Sequence, residues 1–158
     1  MMASWGDLKR SAPEMEERGR ELLLRAGAGE GLLTTVAGEA LPRTHPVNVG
    51  FVDERLMVFV QAGSAKARDL AADGRYALHA HLDPAVPHEF LLRGRATPVT
   101  DIETRGRAVE SWPYDATEGY ALFELGIEHA LFGERNDQDA WPPQYTSWRA
   151  RPPASATD

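Results

Sequence analysis

The stretch that decides the fold covers residues 41–70 and reads LPRTHPVNVGFVDERLMVFVQAGSAKARDL. Two apolar runs rich in β-branched residues, 47–52 and 56–62, lie on either side of a polar break at 53–55. This pattern is typical of two strands joined by a tight hairpin. A glycine follows the second run, and Ser64 then stands where a helix N-cap is expected. The stretch therefore predicts a strand, a hairpin, a second strand and a helix, which Asp73-Gly74 would end with a C-terminal glycine.

Cations near the start of the predicted helix indicate a possible phosphate site. Lys66 and Arg68 lie in its first turn or just beyond, although the helix dipole disfavours positive charge there. A bound anion would remove this conflict, and the free N–H groups of a helix start also bind phosphate. The alternative is a surface turn whose basic side chains are solvated. The residues alone leave both interpretations open.

Composition limits the kinds of protein this chain can be. Its 158 residues, 42% hydrophobic and 26% charged, suit one globular domain. A net charge of −7 without a basic block argues against nucleic acid or an anionic membrane as partner. The absence of cysteine excludes disulfides and thiolate catalysis. No apolar run reaches membrane-spanning length and the N-terminus lacks a signal-peptide core, so we expect a cytoplasmic protein.

The remaining segments predict a mainly β fold with short helices. We expect a single domain over 1–152, with an N-terminal helix at 13–26, and a flexible tail at 153–158. A helix over 102–111 would be capped by Asp101, and 117–122 is predicted as a helical turn. The predicted strands lie at 31–37, from about 42 to 52, and at 56–62, 75–81, 88–98, 123–132 and 145–149. About six strands suit a small, mostly antiparallel barrel.

Alternation in the 123–132 strand predicts which of its side chains share a face. One face would carry five side chains: Phe123, Leu125, Ile127, His129 and Leu131. Glu124, Glu128 and Ala130 would lie on the other.

The sequence contains no complete catalytic or metal motif. His79 and His81 have a spacing that can bind zinc or haem iron, but no third ligand follows in a recognisable pattern. A polar strand face explains them better, so no metal site is predicted. The hydrolase pattern G-x-S-x-G is absent. Without a nucleophile or a metal, redox chemistry would need an organic cofactor, and we assign no catalytic residue.

Two motifs carry a resemblance to a known family. Arg43-Thr44-His45-Pro46-Val47 on one strand, and Ser64-Ala65-Lys66 after the next, resemble the flavin-binding split-barrel family. That family includes pyridoxamine 5′-phosphate oxidases, reductases that use the deazaflavin coenzyme F420, and related haem-handling proteins. The resemblance covers about residues 31–99, with weaker similarity to about 152. It implies a split β-barrel, Greek-key-like and mostly antiparallel, that forms a homodimer with the cofactor at the interface.

The resemblance also implies a set of cofactor-binding residues. The phosphate would lie against Ser64 and Lys66, with help from Arg43 or Thr44. The flavin ring would lie along His45, Pro46 and Val47. Further contacts would come from Phe59, Val60 and Gln61 on the adjoining strand, from Trp148 and Arg149 of the second subunit, and, for a charged cofactor tail, from Arg68, Arg93 and Arg95.

The same resemblance ranks the cofactors and functions. Flavin mononucleotide (FMN) is expected, the deazaflavin is the second candidate, and haem held by His79, His81 or His129 is the third. Ala65 replaces an arginine of the true oxidases, and their arginine-rich C-terminal segment is missing, so pyridoxamine phosphate is not the expected substrate. We predict a flavin-dependent oxidoreductase acting on an unknown small organic molecule. The alternatives are a flavin- or haem-binding protein without turnover and a stress-related structural dimer with an empty cleft.

Overall fold

The computed structural model describes residues 2–137 and 139–151. Its helices are α1 (Trp5–Ser11), α2 (Pro13–Leu23), α3 (Ala65–Ala72) and α4 (Ile102–Ser111). Its strands are β1 (Glu30–Thr35), β2 (Arg43–Val52), β3 (Arg55–Gln61), β4 (Arg75–His79), β5 (Glu89–Pro98), β6 (Tyr120–Glu134) and β7 (Gln144–Arg149). Within the described part, no helix is long and apolar enough to cross a membrane.

The strands close into a six-stranded antiparallel barrel, which confirms the predicted fold class. The sheet order is β3-β2-β1-β4-β5-β6-β7, and a further pairing of β3 with β6 closes the ring. The β2–β3 hairpin forms as predicted and turns at Asp53 and Glu54, both of which have positive φ. Strand β6 is long enough to pair with β3 near its start and with β7 near its end. Strand β7 therefore extends the sheet beyond the closed barrel.

Helices α1 and α2 cover the apolar interior of the barrel. Trp5 of α1 is buried and packs its ring at 4.8 Å from Phe51 and at 6.1 Å from Phe90. The interior beneath it is formed mainly by aliphatic residues of the strands, including Leu33, Leu56, Val58, Leu78, Leu92, Leu125 and Ile127. Both helices thus contribute to the same core as the barrel.

A close contact between α2 and β5 gives a first stability prediction. A Cβ added at Gly19 would lie 2.4 Å from the ring of Phe90, which is fully buried. Gly19→Ala should therefore destabilise the protein by about 2 kcal/mol, although alanine favours helix. The matched control is Gly106→Ala in α4, where a new Cβ meets no atom within 4 Å and should stabilise by about 1 kcal/mol. Urea unfolding measures both, and equal effects would contradict the packing argument.

Helix α4 forms a second, smaller core on the outside of the barrel. Trp112, just after α4, packs edge-on against Phe59 with ring centroids 4.8 Å apart. Gly50 of β2 allows this approach, because a Cβ there would lie 2.5 Å from the indole. Met57 and Phe59 are consequently buried on the outer side of β3, while Val58 faces the barrel interior. Strand β3 is therefore covered on both faces.

The structure corrects the predicted helices. The helix expected at 13–26 ends at Leu23, and α1, which the prediction lacked, precedes it. A capping box between Ser4 and Asp7 starts α1, and its S-x-x-D pattern in the sequence indicates the start of a helix. The helical turn predicted at 117–122 is wrong: Tyr120 already pairs with Gln61 at the start of β6, because long-range strand pairing overrides the local preference. The predicted tail at 153–158 lies outside the described residues.

A bulge in β6 overturns the predicted alternation. The β5–β6 register shifts between Arg93, which pairs with His129, and Gly94, which pairs with Ile127. Glu128 is the extra residue, so side chains beyond it exchange faces. Ala130 and Phe132 consequently join the interior with Phe123, Leu125 and Ile127, while His129 and Leu131 lie on the opposite face.

Candidate functional site

The start of α3 forms as the sequence predicts. Ser64 is the N-cap, in extended conformation, and its Oγ accepts a hydrogen bond from the N–H of Ala67 at 3.2 Å. The same hydroxyl donates to the carbonyl of Gln61 at 2.7 Å. Gly74 follows the helix with φ of +84°, consistent with the predicted glycine stop. The helix start is thus fixed directly beyond the end of β3.

The two cations of α3 differ in how they are held. Arg68 is exposed and donates to the carbonyl of Gly63 at 2.9 Å. Lys66 is half-buried, and the described residues provide it with no hydrogen-bond or ion-pair partner. The first N–H groups of a helix also lack intrahelical partners. The start of α3 therefore presents an uncompensated positive charge beside free backbone donors.

Arg43 is brought against the same helix by a buried carboxylate. Asp69 is 5% exposed and accepts from the Arg43 Nε at 2.8 Å and from the Thr35 hydroxyl at 2.8 Å. Lys66 lies one turn before Asp69, so it shares that side of α3. Arg43 therefore lies next to α3, and part of its charge is compensated. Asp69 was not assigned as a site residue, because its partners are distant in sequence.

The predicted residues of β2 are divided between the two faces of the strand. Thr44 and Pro46 lie on the outer side, where the Thr44 hydroxyl hydrogen-bonds that of Thr34 at 2.8 Å. His45 and Val47 point the other way, and Val47 packs against the interior core. A planar ring laid on the outer side would therefore contact Thr44 and Pro46 more directly than their neighbours.

Only one of the three predicted residues of β3 has a free side chain. Phe59 is 3% exposed and Val60 is 2% exposed, the first against Trp112 and the second in the barrel interior. Gln61 is exposed at the strand end. Phe59 and Val60 can therefore contact a cofactor only through their backbone groups.

Trp148 and Arg149 lie far from the start of α3 within one protomer. They pair with Ala130 and His129 in the second half of β6, whereas Gln61 pairs with Tyr120 at its start. Ten residues of strand separate Tyr120 from Ala130, which corresponds to about 30 Å. Only a second copy of the chain could bring these side chains to the start of α3.

A row of mostly apolar residues crosses the outer side of five neighbouring strands, in the order β2, β1, β4, β5 and β6. The register places five residues in this outer row: Pro46, Leu32, His79, Leu91 and Leu131. Leu32 is 38% exposed and Pro46 is exposed, while the other three are half-buried. The outer row is thus an accessible, largely apolar surface beside Thr44.

The histidines are separated rather than clustered. The Nδ1 of His79 lies 2.6 Å from the carbonyl oxygen of Ala80, and a carbonyl only accepts. The neutral tautomer that fits this contact carries its proton on Nδ1, which leaves the Nε2 lone pair free. His88 instead accepts the N–H of Arg135 at 2.9 Å. Among residues 2–137 and 139–151, no three histidine or acidic side chains form a group that could hold a metal.

Comparisons with solved structures place this barrel in a known fold class. A protein from Listeria innocua assigned as a pyridoxamine 5′-phosphate oxidase aligns with a TM-score of 0.60 and 14% identity, over 80% of this chain and 100% of that chain. A heme binding protein from Mycobacterium smegmatis aligns with a TM-score of 0.59 and 18% identity, over 81% of this chain and 56% of that chain. The General Stress Protein 26 from Bacillus anthracis aligns with a TM-score of 0.59 and 17% identity, over 85% and 97% of the two chains.

These similarities establish the fold alone. The chain has a split-barrel fold like that of these proteins, with a six-stranded closed barrel and short helices. No protein-family model and no curated protein matches the sequence. Structures with this fold include a protein named as a pyridoxamine 5′-phosphate oxidase and one named as a heme binding protein. The residues of this chain, rather than its fold, therefore indicate which ligand it binds.

Proposed function

We propose that the protein is a homodimeric flavin-binding oxidoreductase that transfers a hydride or electrons to a small organic substrate. The observation that carries the proposal is the start of α3, where Lys66 has no partner in the described structure and Arg43 is held alongside through Asp69. This combination of a capped helix start and cations suits a phosphate group. The fold class agrees with it.

The residues present fit a flavin phosphate. Lys66 and the first N–H groups of α3 would bind the phosphate, and the space beside Gly63 is open, since a Cβ there meets no atom within 4 Å. Thr44, Pro46 and the exposed side chain of Gln61 would contact the ring or its ribityl chain. When bound, the flavin supplies the redox chemistry, and the protein binds, orients and shields it.

FMN is the preferred cofactor, with the deazaflavin second. A single unpaired lysine at a helix start matches a single phosphate group. The deazaflavin carries a charged tail and needs a longer basic groove. Arg68 and Arg95 are exposed and would line such a groove. Their guanidinium groups already donate to the backbone carbonyls of Gly63 and Asp73. The deazaflavin is therefore the second candidate cofactor.

The outer row supports the proposed dimer. Leu32 lies between Pro46 and His79 in this row and is 38% exposed, which suits burial against a second copy. Packing two such faces together would also provide the only route for Trp148 and Arg149 to reach a cofactor at α3.

A charge introduced into the outer row at Leu32 should therefore break the dimer. Leu32→Asp is expected to weaken self-association by about 2 kcal/mol and to lower FMN affinity with it, because each copy would bury a carboxylate against its counterpart. Ile102→Asp on α4, where the native side chain is 85% exposed, is the control and should change neither property. Sedimentation equilibrium measures the association. A native protein that is monomeric at all concentrations, with or without FMN, would contradict the proposed dimer.

A binding protein without turnover is the second candidate. The free Nε2 of His79 favours it, because an imidazole with its Nδ1 proton held by a carbonyl is oriented as a metal ligand, including for haem iron. The two functions differ in one property, which is whether bound cofactor is reduced and reoxidised by any substrate. Stopped-flow absorbance with nicotinamide cofactors and oxygen distinguishes them: redox cycling supports the oxidoreductase, and an inert bound cofactor supports storage or sensing.

A further inference from the structure

Three side chains that the predicted cofactor site does not combine lie next to each other across β5, β6 and β7. Arg93 pairs with His129, and His129 pairs with Arg149, so the register places them in one line. Directly opposed residues on neighbouring strands are about 5 Å apart at Cβ. The bulge at Glu128 is responsible, because it moves His129 to the outer side of the sheet. We call these three residues the basic triad.

The central imidazole is neutral and acts as an acceptor. Arg93 Nη2 donates to His129 Nδ1 at 3.1 Å, and a guanidinium carries only donors. His129 therefore has its proton on Nε2. Burial, followed by the charges of Arg93 and Arg149, holds the pKa of His129 below its usual range, while Glu128 opposes this shift. The triad thus offers two guanidinium groups and one N–H donor.

Positive charge dominates the cleft around the triad. The cleft has a volume of about 260 Å³ and is also lined by Arg75, Tyr76 and Glu128. Arg75 is compensated by an ion pair with Asp73 at 2.6 Å. Arg93 and Arg149 have no carboxylate partner within 4 Å among the described residues, and Glu128 is the only acid lining the cleft. Two close, uncompensated cations in a chain of net charge −7 are explained by an anionic ligand.

We propose that Arg93, His129 and Arg149 form a binding site for the oxyanion group, a carboxylate or a phosphate, of a small-molecule ligand. Arginine forks match such groups in shape and charge, and a neutral imidazole adds a third donor. The site is complete within one chain and does not require a flavin. It goes beyond the proposed function, since it assigns an oxyanion site whose lining does not include the start of α3.

Sulfate is the probe, because its charge stays constant over the pH range used. Titration of the full chain, followed by amide chemical shifts, should show saturable binding that tightens as the pH falls below about 6.5, because the pKa of His129 lies below its usual range. We expect binding to tighten at low pH because His129 is neutral at high pH, and its protonation adds a positive charge facing the anion. An anion favours that protonated form.

Variants separate the triad from general surface charge. Arg93→Gln and Arg149→Gln should each weaken sulfate binding about tenfold. Arg25→Gln removes an exposed cation that does not line the cleft, and should change affinity less than about twofold. His129→Gln should abolish the dependence on pH while leaving some binding at high pH. Equal losses in all three arginine variants, or no saturable binding by the native chain, would overturn the proposal.

Two further experiments identify the chemistry of the ligand and distinguish the oxyanion site from the proposed flavin site. Competition of sulfate by acetate rather than inorganic phosphate would indicate a carboxylate ligand, and the reverse order would indicate a phosphate ester; either supports the site. Flavin binding is measured separately with the Lys66→Ala variant, whose triad is intact. A chain that binds sulfate but no flavin would refute only the proposed function. A chain that binds flavin but no sulfate would refute only the oxyanion site.

Discussion

Replacing Glu16 by alanine is expected to lower the free energy of unfolding by about 3 kcal/mol. Glu16 is 2% exposed and accepts a hydrogen bond from the buried indole N–H of Trp5 at 2.7 Å. It also forms an ion pair with Arg20, one turn later on α2. The substitution leaves a buried donor and a half-buried cation without their acceptor. Because Trp5 packs against the barrel core, the loss should loosen both N-terminal helices.

Urea unfolding of two variants tests this expectation. Glu17→Ala is the matched control, because Glu17 is exposed on the same helix and should change stability by less than about 0.5 kcal/mol. The Glu16 variant should also show altered tryptophan fluorescence near neutral pH, since the indole loses its partner. If both substitutions had the same small effect, Glu16 would not connect α1 to α2.

The second large effect concerns cofactor affinity. Lys66→Ala combined with Ser64→Ala should weaken FMN binding about 100-fold, because a charged and a polar contribution to the phosphate site are lost together. Ser64→Ala also removes the N-cap of α3, which costs about 1 kcal/mol of stability. The fold should remain intact, since neither side chain belongs to the core. Fluorescence quenching of FMN measures the affinity, and thermal unfolding measures the stability.

The matched control for Lys66 is the other lysine of the chain, Lys9. Lys9 and Lys66 are its only lysines, and Lys9 is exposed on α1. Lys9→Ala should leave FMN affinity within about twofold of the native value, because it removes the same charge away from α3. Loss of affinity in Lys9→Ala, or unchanged affinity in the double variant, would remove the argument for a phosphate site at α3.

Local patterns in the sequence predicted the centre of the fold correctly. The hairpin, the Ser64 cap and the glycine after α3 depend on residues only a few positions apart, so propensities and caps suffice to predict them. The Asp101 cap of α4 is confirmed for the same reason, with its side chain accepting the Thr104 N–H at 2.9 Å. The phosphate-binding role of Ser64 and Lys66 stays a prediction, which was made because these residues follow a strand directly.

Features that depend on long-range pairing were not predicted. The bulge at Glu128 arises from the register between β5 and β6, and Gly94 makes it possible, since a Cβ there would lie 2.0 Å from a backbone oxygen of Gly126. No alternation pattern in 123–132 reveals it. The pairing of Arg93, His129 and Arg149 follows from that bulge. Asp69 was missed for a related reason, because Thr35 and Arg43 reach it from other elements.

The ultraviolet–visible spectrum of the freshly purified protein, followed by titration with FMN, the deazaflavin and haem, tests the central claim most directly. We predict a flavin band, or saturable FMN binding that is weakened in the Lys66→Ala variant. A Soret band would instead favour the haem-binding alternative and the free Nε2 of His79. A colourless protein that binds none of the three would contradict the proposed function and leave only the split-barrel fold.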